Sequence, residues 1–100
     1  MPKIRVEVNH KIEQHIAVER IKELLNKLRN DYGEMITELK ENWNGSTSNF
    51  SFKAMGMSVE GFLKVNYSDI YLEGKIPLAA LPFKKTIENK IREEAIKLLK

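Results

Sequence analysis

Between Phe50 and Ile76 the chain alternates apolar and polar residues three times, with only a few turn-forming residues between runs. Phe50, Phe52 and Ala54 alternate with Ser51 and Lys53. Val59, Gly61, Leu63 and Val65 alternate with Ser58, Glu60, Phe62 and Lys64, and Ile70, Leu72, Gly74 and Ile76 with Tyr71, Glu73 and Lys75. Gly56 breaks the first run from the second, and Asn66-Tyr67-Ser68-Asp69 is turn chemistry between the second and third. A two-residue period is that of a strand with one face buried. A parallel crossover needs about a dozen residues or more, so strands this close together form an antiparallel meander. One face of such a sheet has to be covered by something else in the chain.

The cover is supplied before and after the meander. Lys3 to Asn9 first adds another strand, with Ile4, Val6 and Val8 on one face. His10 to Gln14 is a polar connection. Ala17, Ile21, Leu24, Leu25, Leu28 and Tyr32 then recur on one face of a helix, and Gly33 after them suits a left-handed C-cap. At the other end Pro77 closes the sheet and Pro82 suits the first turn of a second helix. That helix carries an apolar stripe of Phe83, Ile87, Ile91, Ala95 and Leu98. Glu23–Lys27, Glu88–Arg92 and Glu93–Lys97 are spaced as i,i+4 ion pairs on the solvent faces of the two helices.

Met35 to Trp43 is ambiguous. Ile36, Leu39 and Trp43 fit a helix, whereas Thr37, Leu39, Glu41 and Trp43 fit a strand. Asn44-Gly45-Ser46 after them is a hairpin signal, so Ile36–Trp43 is read as a strand. The expected fold is therefore α+β: an antiparallel sheet of about five strands packed on two helices, in the order β-α-β-β-β-β-α. Residues 1–100 form a single domain, with no linker or internal repeat.

Chemistry is harder to find. The absence of cysteine rules out disulfides and thiolate metal sites. His10 and His15, near Glu13 and Glu19, are five apart across a helix start and share no face. A surface or capping role is preferred to a metal site. Glu93-Glu94, the one adjacent carboxylate pair, is read as a solvated helix face among lysines. No serine lies in a nucleophile motif, and the glycines match no phosphate loop. Gly61 and Gly74 are read instead as places of close helix-on-sheet packing, or as bulges. No catalytic, cofactor-binding or metal residue is assigned, and the reading is of a protein that is not an enzyme.

The 17 basic and 14 acidic residues are interleaved and leave a net charge of only +3, which does not favour nucleic acid as a partner. Phe62 and Tyr71 among the lysines of the outer sheet face resemble a base-stacking platform, but Glu60 and Glu73 dilute the field. No apolar run approaches the ~18 residues of a membrane span, and Met1-Pro2-Lys3 leads straight into a strand pattern without a signal-peptide core. The expected compartment is the cytoplasm. Met35, Met55, Met57 and Trp43, with Leu78, Leu81 and Phe83, form a further apolar group at the rim of the predicted core.

Trp43-Asn44-Gly45, Phe50-Ser51-Phe52, Gly56 and Gly61 resemble the central hairpins of the small bacterial proteins called the polyhydroxyalkanoic acid system family. Leu78-Ala79-Ala80-Leu81-Pro82-Phe83, with Ile87 and Ile91, looks like that family's closing helix. The resemblance spans nearly the whole chain and rests on structural residues. It implies an association with polyhydroxyalkanoate storage and brings no active-site motif. On this reading Trp43, Met57 and Phe83 would form an apolar rim contacting a polyester granule surface or a granule-coat protein. The rival reading is a small carrier holding an apolar ligand, such as an acyl chain, between the sheet and the C-terminal helix.

Overall fold

The protein is described by a computed structural model covering residues 2–31, 33–54 and 56–100. Tyr32 and Met55, placed above on the first helix face and in the apolar group, lie outside the described residues. The order is β1 (Lys3–Asn9), α1 (Gln14–Asp31), β2 (Ile36–Asn44), β3 (Thr47–Ala54), β4 (Met57–Val65), β5 (Asp69–Lys75), a 3-10 helix (Leu78–Phe83) and α2 (Lys84–Leu98). The five strands form one antiparallel sheet in the spatial order β1-β5-β4-β3-β2, as the α+β reading expects.

The core lies where the alternations place it. Ile4, Val6 and Val8 of β1, Leu63 and Val65 of β4, and Ile70 and Leu72 of β5 are buried against Ala17, Ile21, Leu24 and Leu25 of α1. α1 lies over β4, and α2 lies along β1 and against α1. β1 is an edge strand, and α2 closes that edge: the Glu88 carboxylate accepts the free N–H of Arg5 at 2.7 Å. Glu88 is thereby engaged with β1, while Arg92 donates to Asn89 at 2.9 Å. At the far end Arg20 of α1 donates to the carbonyls of Leu98 and Lys100, holding down the end of α2.

Several local expectations are corrected. Pro82 does not open the second helix. It lies inside the 3-10 helix, and α2 begins at Lys84. Phe83 consequently leaves the apolar stripe and is 61% exposed, whereas Leu99 past the helix end is buried. Gly33 is not in the left-handed region; a Cβ there would stand 2.9 Å from the Arg29 carbonyl oxygen, so close approach selects the glycine. Gly61 and Gly74 receive strand neighbours, not helices. They are paired with each other, the Phe50 ring lies over Gly61, and Ile4 lies over Gly74.

β2 owes its ambiguity to a bulge. Register shifts between Thr37 and Lys40, and Glu38 has φ 53°, the one non-glycine with positive φ among the described residues. The extra residue puts Ile36 and Leu39 on the same face as Trp43, producing the helix-like spacing of those three. The hairpin to β3 turns on Gly45-Ser46, with positive φ at Gly45. Glycine at the first central position is the arrangement of a type II′ turn.

Candidate functional site

The sheet is unevenly covered. β5 ends at Lys75, which pairs with Glu60 of β4 and Lys3 of β1. Beyond that row β4 continues back to Met57, β3 forward to Ala54, and β2 back to Ile36. On the core side of this overhang, Ile36, Leu39, Phe52, Ala54, Met57 and Val59 are only half-buried. The 3-10 helix leaves the sheet at the same end. Ala80 packs on the core, while Leu78 is 73%, Leu81 46% and Phe83 61% exposed. Large apolar side chains grouped in solvent mark a contact surface more often than isolated ones do.

Met57 and Phe83 belong to this end; Trp43 does not. Trp43 pairs with Ser48, which pairs with Leu63. Leu63 is six residues along β4 from Met57, about 20 Å at the rise of a strand. The Trp43 ring lies half-buried beneath Lys22 of α1, whose ammonium is 5.5 Å from the ring centroid. The rim read from the sequence is thus two places. Leu78 and Leu81 stand exposed at the Phe83 end, ahead of the start of α2.

The outer face is tied together by its own side chains. The Tyr71 hydroxyl donates to Glu73 at 2.6 Å, Lys3 pairs with Glu73 at 2.9 Å, and the Arg5 guanidinium lies 5.9 Å from the Tyr71 ring centre. The Tyr71 hydrogen bond, then Lys3, holds Glu73 below the usual carboxylate range, and the same bond pushes the Tyr71 phenol up. Arg5 already occupies Tyr71, one of the two aromatics of the supposed stacking platform. Two shallow depressions lie on β2–β4, the larger of 370 Å³ and lined by Lys40, Asn42, Asn49, Ser51 and Glu60 among others. Neither is lined by α2, where a carrier's ligand would sit.

The titratable groups weighed above fall into different roles. His15 is exposed beside Glu13. His10, expected in a surface or capping role, is buried: its Nε2 donates to the Asn66 carbonyl at 3.0 Å, and Nδ1 has no partner among the described residues. It sits in a corner where Gln14 donates to the Val65 carbonyl and Asn66 to Asp69. Glu94 departs furthest from expectation. It is 2% exposed and meets Lys27 of α1 at 2.6 Å, with Lys90 at 3.4 Å and Lys97 at 3.7 Å. The hydrogen bond from Lys27 holds its carboxyl below the ordinary range against the opposing pull of burial. Lys27 and Lys97 therefore turn to Glu94, not to Glu23 and Glu93. Glu94 lies three residues past Ile91 and seven past Ile87, spacing that puts it on the apolar stripe. That was the available signal. Among the described residues no group of three or more metal-binding side chains converges, and no helix is long and apolar enough to cross a membrane.

Fold and surface together define a small α+β protein, an antiparallel meander backed by two helices, with one apolar end left open. The chain belongs to the family described as "Putative polyhydroxyalkanoic acid system protein (PHA_gran_rgn)", whose model matches residues 4–99. The match agrees with the resemblance carried by the hairpin and closing-helix residues. No curated protein and no solved structure matches the chain.

Proposed function

We propose that the protein is a non-enzymatic accessory factor of polyhydroxyalkanoate storage, adsorbing to an apolar surface such as that of the polyester granule. The observation that carries this reading is the trio Leu78, Leu81 and Phe83 standing in solvent on the segment that leaves the sheet after Lys75. Fully burying one such side chain stabilises by about 1.5–3 kcal/mol. Three together supply at most about 9 kcal/mol, and the loss of free motion on association, at least about 4 kcal/mol, leaves no more than about 5 kcal/mol, a sub-millimolar affinity. That suits a reversible coat component. Met57 lies on the same end of the sheet and extends the contact, whereas Trp43 stays outside it.

Co-sedimentation on artificial polyhydroxyalkanoate particles tests the reading. The purified protein is expected in the pellet, and a Leu78→Ser/Phe83→Ser double variant in the supernatant. Wild-type protein remaining wholly in the supernatant would overturn it.

A further inference from the structure

The segment that carries the exposed apolar trio also has an unusual charge pattern. From Gly74 to Ile87 there is no acidic residue, and Lys75, Lys84 and Lys85 bracket the 3-10 helix. None of the three lysines takes part in an ion pair among the described residues, although Lys75 lies opposite Glu60 and Lys3 in the sheet. Lys84 and Lys85 occupy the first turn of α2, where no acidic residue and no side-chain cap accompanies them. Cations at the positive end of a helix dipole work against the helix. Helix stability therefore does not account for them.

We propose that this segment is an interfacial anchor for a negatively charged phospholipid layer. The proposal rests on the adsorption reading above and names the chemistry of the surface. The apolar trio enters the headgroup boundary, and the lysines remain in the aqueous layer against the phosphates. Lys75 is three residues from Leu78, at most about 10 Å between Cα atoms, and Lys84 adjoins Phe83, so the lysines flank the inserted side chains on both sides. Pro77 and Pro82 fix two φ angles of the segment, which limits the ordering needed on contact. An acidic protein partner fits less well. Lysine is depleted in protein interfaces, and residues 74–87 hold no arginine, tryptophan or tyrosine to anchor one.

Flotation with vesicles of phosphatidylcholine alone, and of phosphatidylcholine with phosphatidylglycerol, tests the anchor alongside the polyester particles. The expected result is binding to the anionic vesicles only, falling with added salt. A Lys75→Gln/Lys84→Gln/Lys85→Gln variant should bind on the order of 100-fold more weakly, about fivefold for each lysine. All substituted residues lie outside the buried core, and unchanged circular dichroism and melting temperature confirm the fold. Equal binding to neutral and anionic vesicles, or undiminished binding by the lysine variant, overturns the proposal. Capture by polyglutamate as strong as by anionic vesicles would assign the lysines to an acidic protein and also overturn it. Binding to particles but to no vesicle removes the anchor and leaves the adsorption reading intact; binding to neither removes both.

Discussion

Lys27 of α1 holds Glu94 of α2 at 2.6 Å, with the carboxylate almost wholly out of solvent. A buried charge is tolerable only while it is paired, and removing one partner leaves the others uncompensated. Glu94 titrates below its ordinary value in the folded protein, chiefly through the Lys27 hydrogen bond. Its contribution is therefore complete above the unfolded glutamate value of about 4.3 and is lost as pH falls through the folded value. A Glu94→Gln variant is expected to unfold at lower urea than wild type at pH 7, with the gap narrowing towards pH 3. Urea midpoints across that range check this, and a constant gap would show that charge is not what Glu94 contributes. Glu73 titrates in both proteins and cancels from the comparison.

The Phe50 ring occupies the space a side chain at Gly61 would need. Gly61→Ala is expected to destabilise by about 1–3 kcal/mol through overpacking. Phe50→Ala should cost about 3 kcal/mol through the cavity it leaves. The double variant should fall short of the sum by at least about 1 kcal/mol, because the cavity accepts the new methyl. Chemical denaturation of the four proteins gives the coupling; strict additivity would mean the ring moves aside freely.

Glu38 is strained by its left-handed backbone, and its ion pair with Lys53 is exposed on both sides. Glu38→Gly removes a strain of about 1–2 kcal/mol at the expense of some chain entropy. The exposed pair contributes little. A net gain of about 0.5–1 kcal/mol is expected, read as a higher urea midpoint. A lower midpoint would place the stability of the bulge in the Glu38–Lys53 pair.

Trp43 is the single tryptophan and lies away from the apolar end. Adsorption to polyester particles or vesicles should leave its emission maximum unchanged, while a probe at Phe83 shifts to the blue. A blue shift of Trp43 itself would return it to the contact surface.

The strands and the apolar face of α1 were legible because period-2 and period-3.6 patterns record which side of each element is buried. Val6, Ile21, Leu24, Leu63 and Ile70 all lie in the core for that reason. Local pattern was weaker where a single residue changed phase. At Glu38 one inserted residue turned a strand into something that reads like a helix. At Pro82 a proline compatible with a first helical turn served a 3-10 helix and freed Phe83 from the stripe.

What the sequence determined by itself was the five strands and two helices, their order and the antiparallel meander from β2 to β5, since short connections leave those strands no other pairing. It also carried the acid-free, lysine-bracketed composition of residues 74–87. Only the tertiary structure decided which apolar residues are covered. Two helices suffice for β1, β5 and β4, and the overhang of β2–β4 with Leu78, Leu81 and Phe83 is left open. The same docking of α2 on α1 drew Glu94 inward to Lys27. A helix face records that it is buried, but the partner that buries it comes from a distant part of the chain, which periodicity within one element cannot encode.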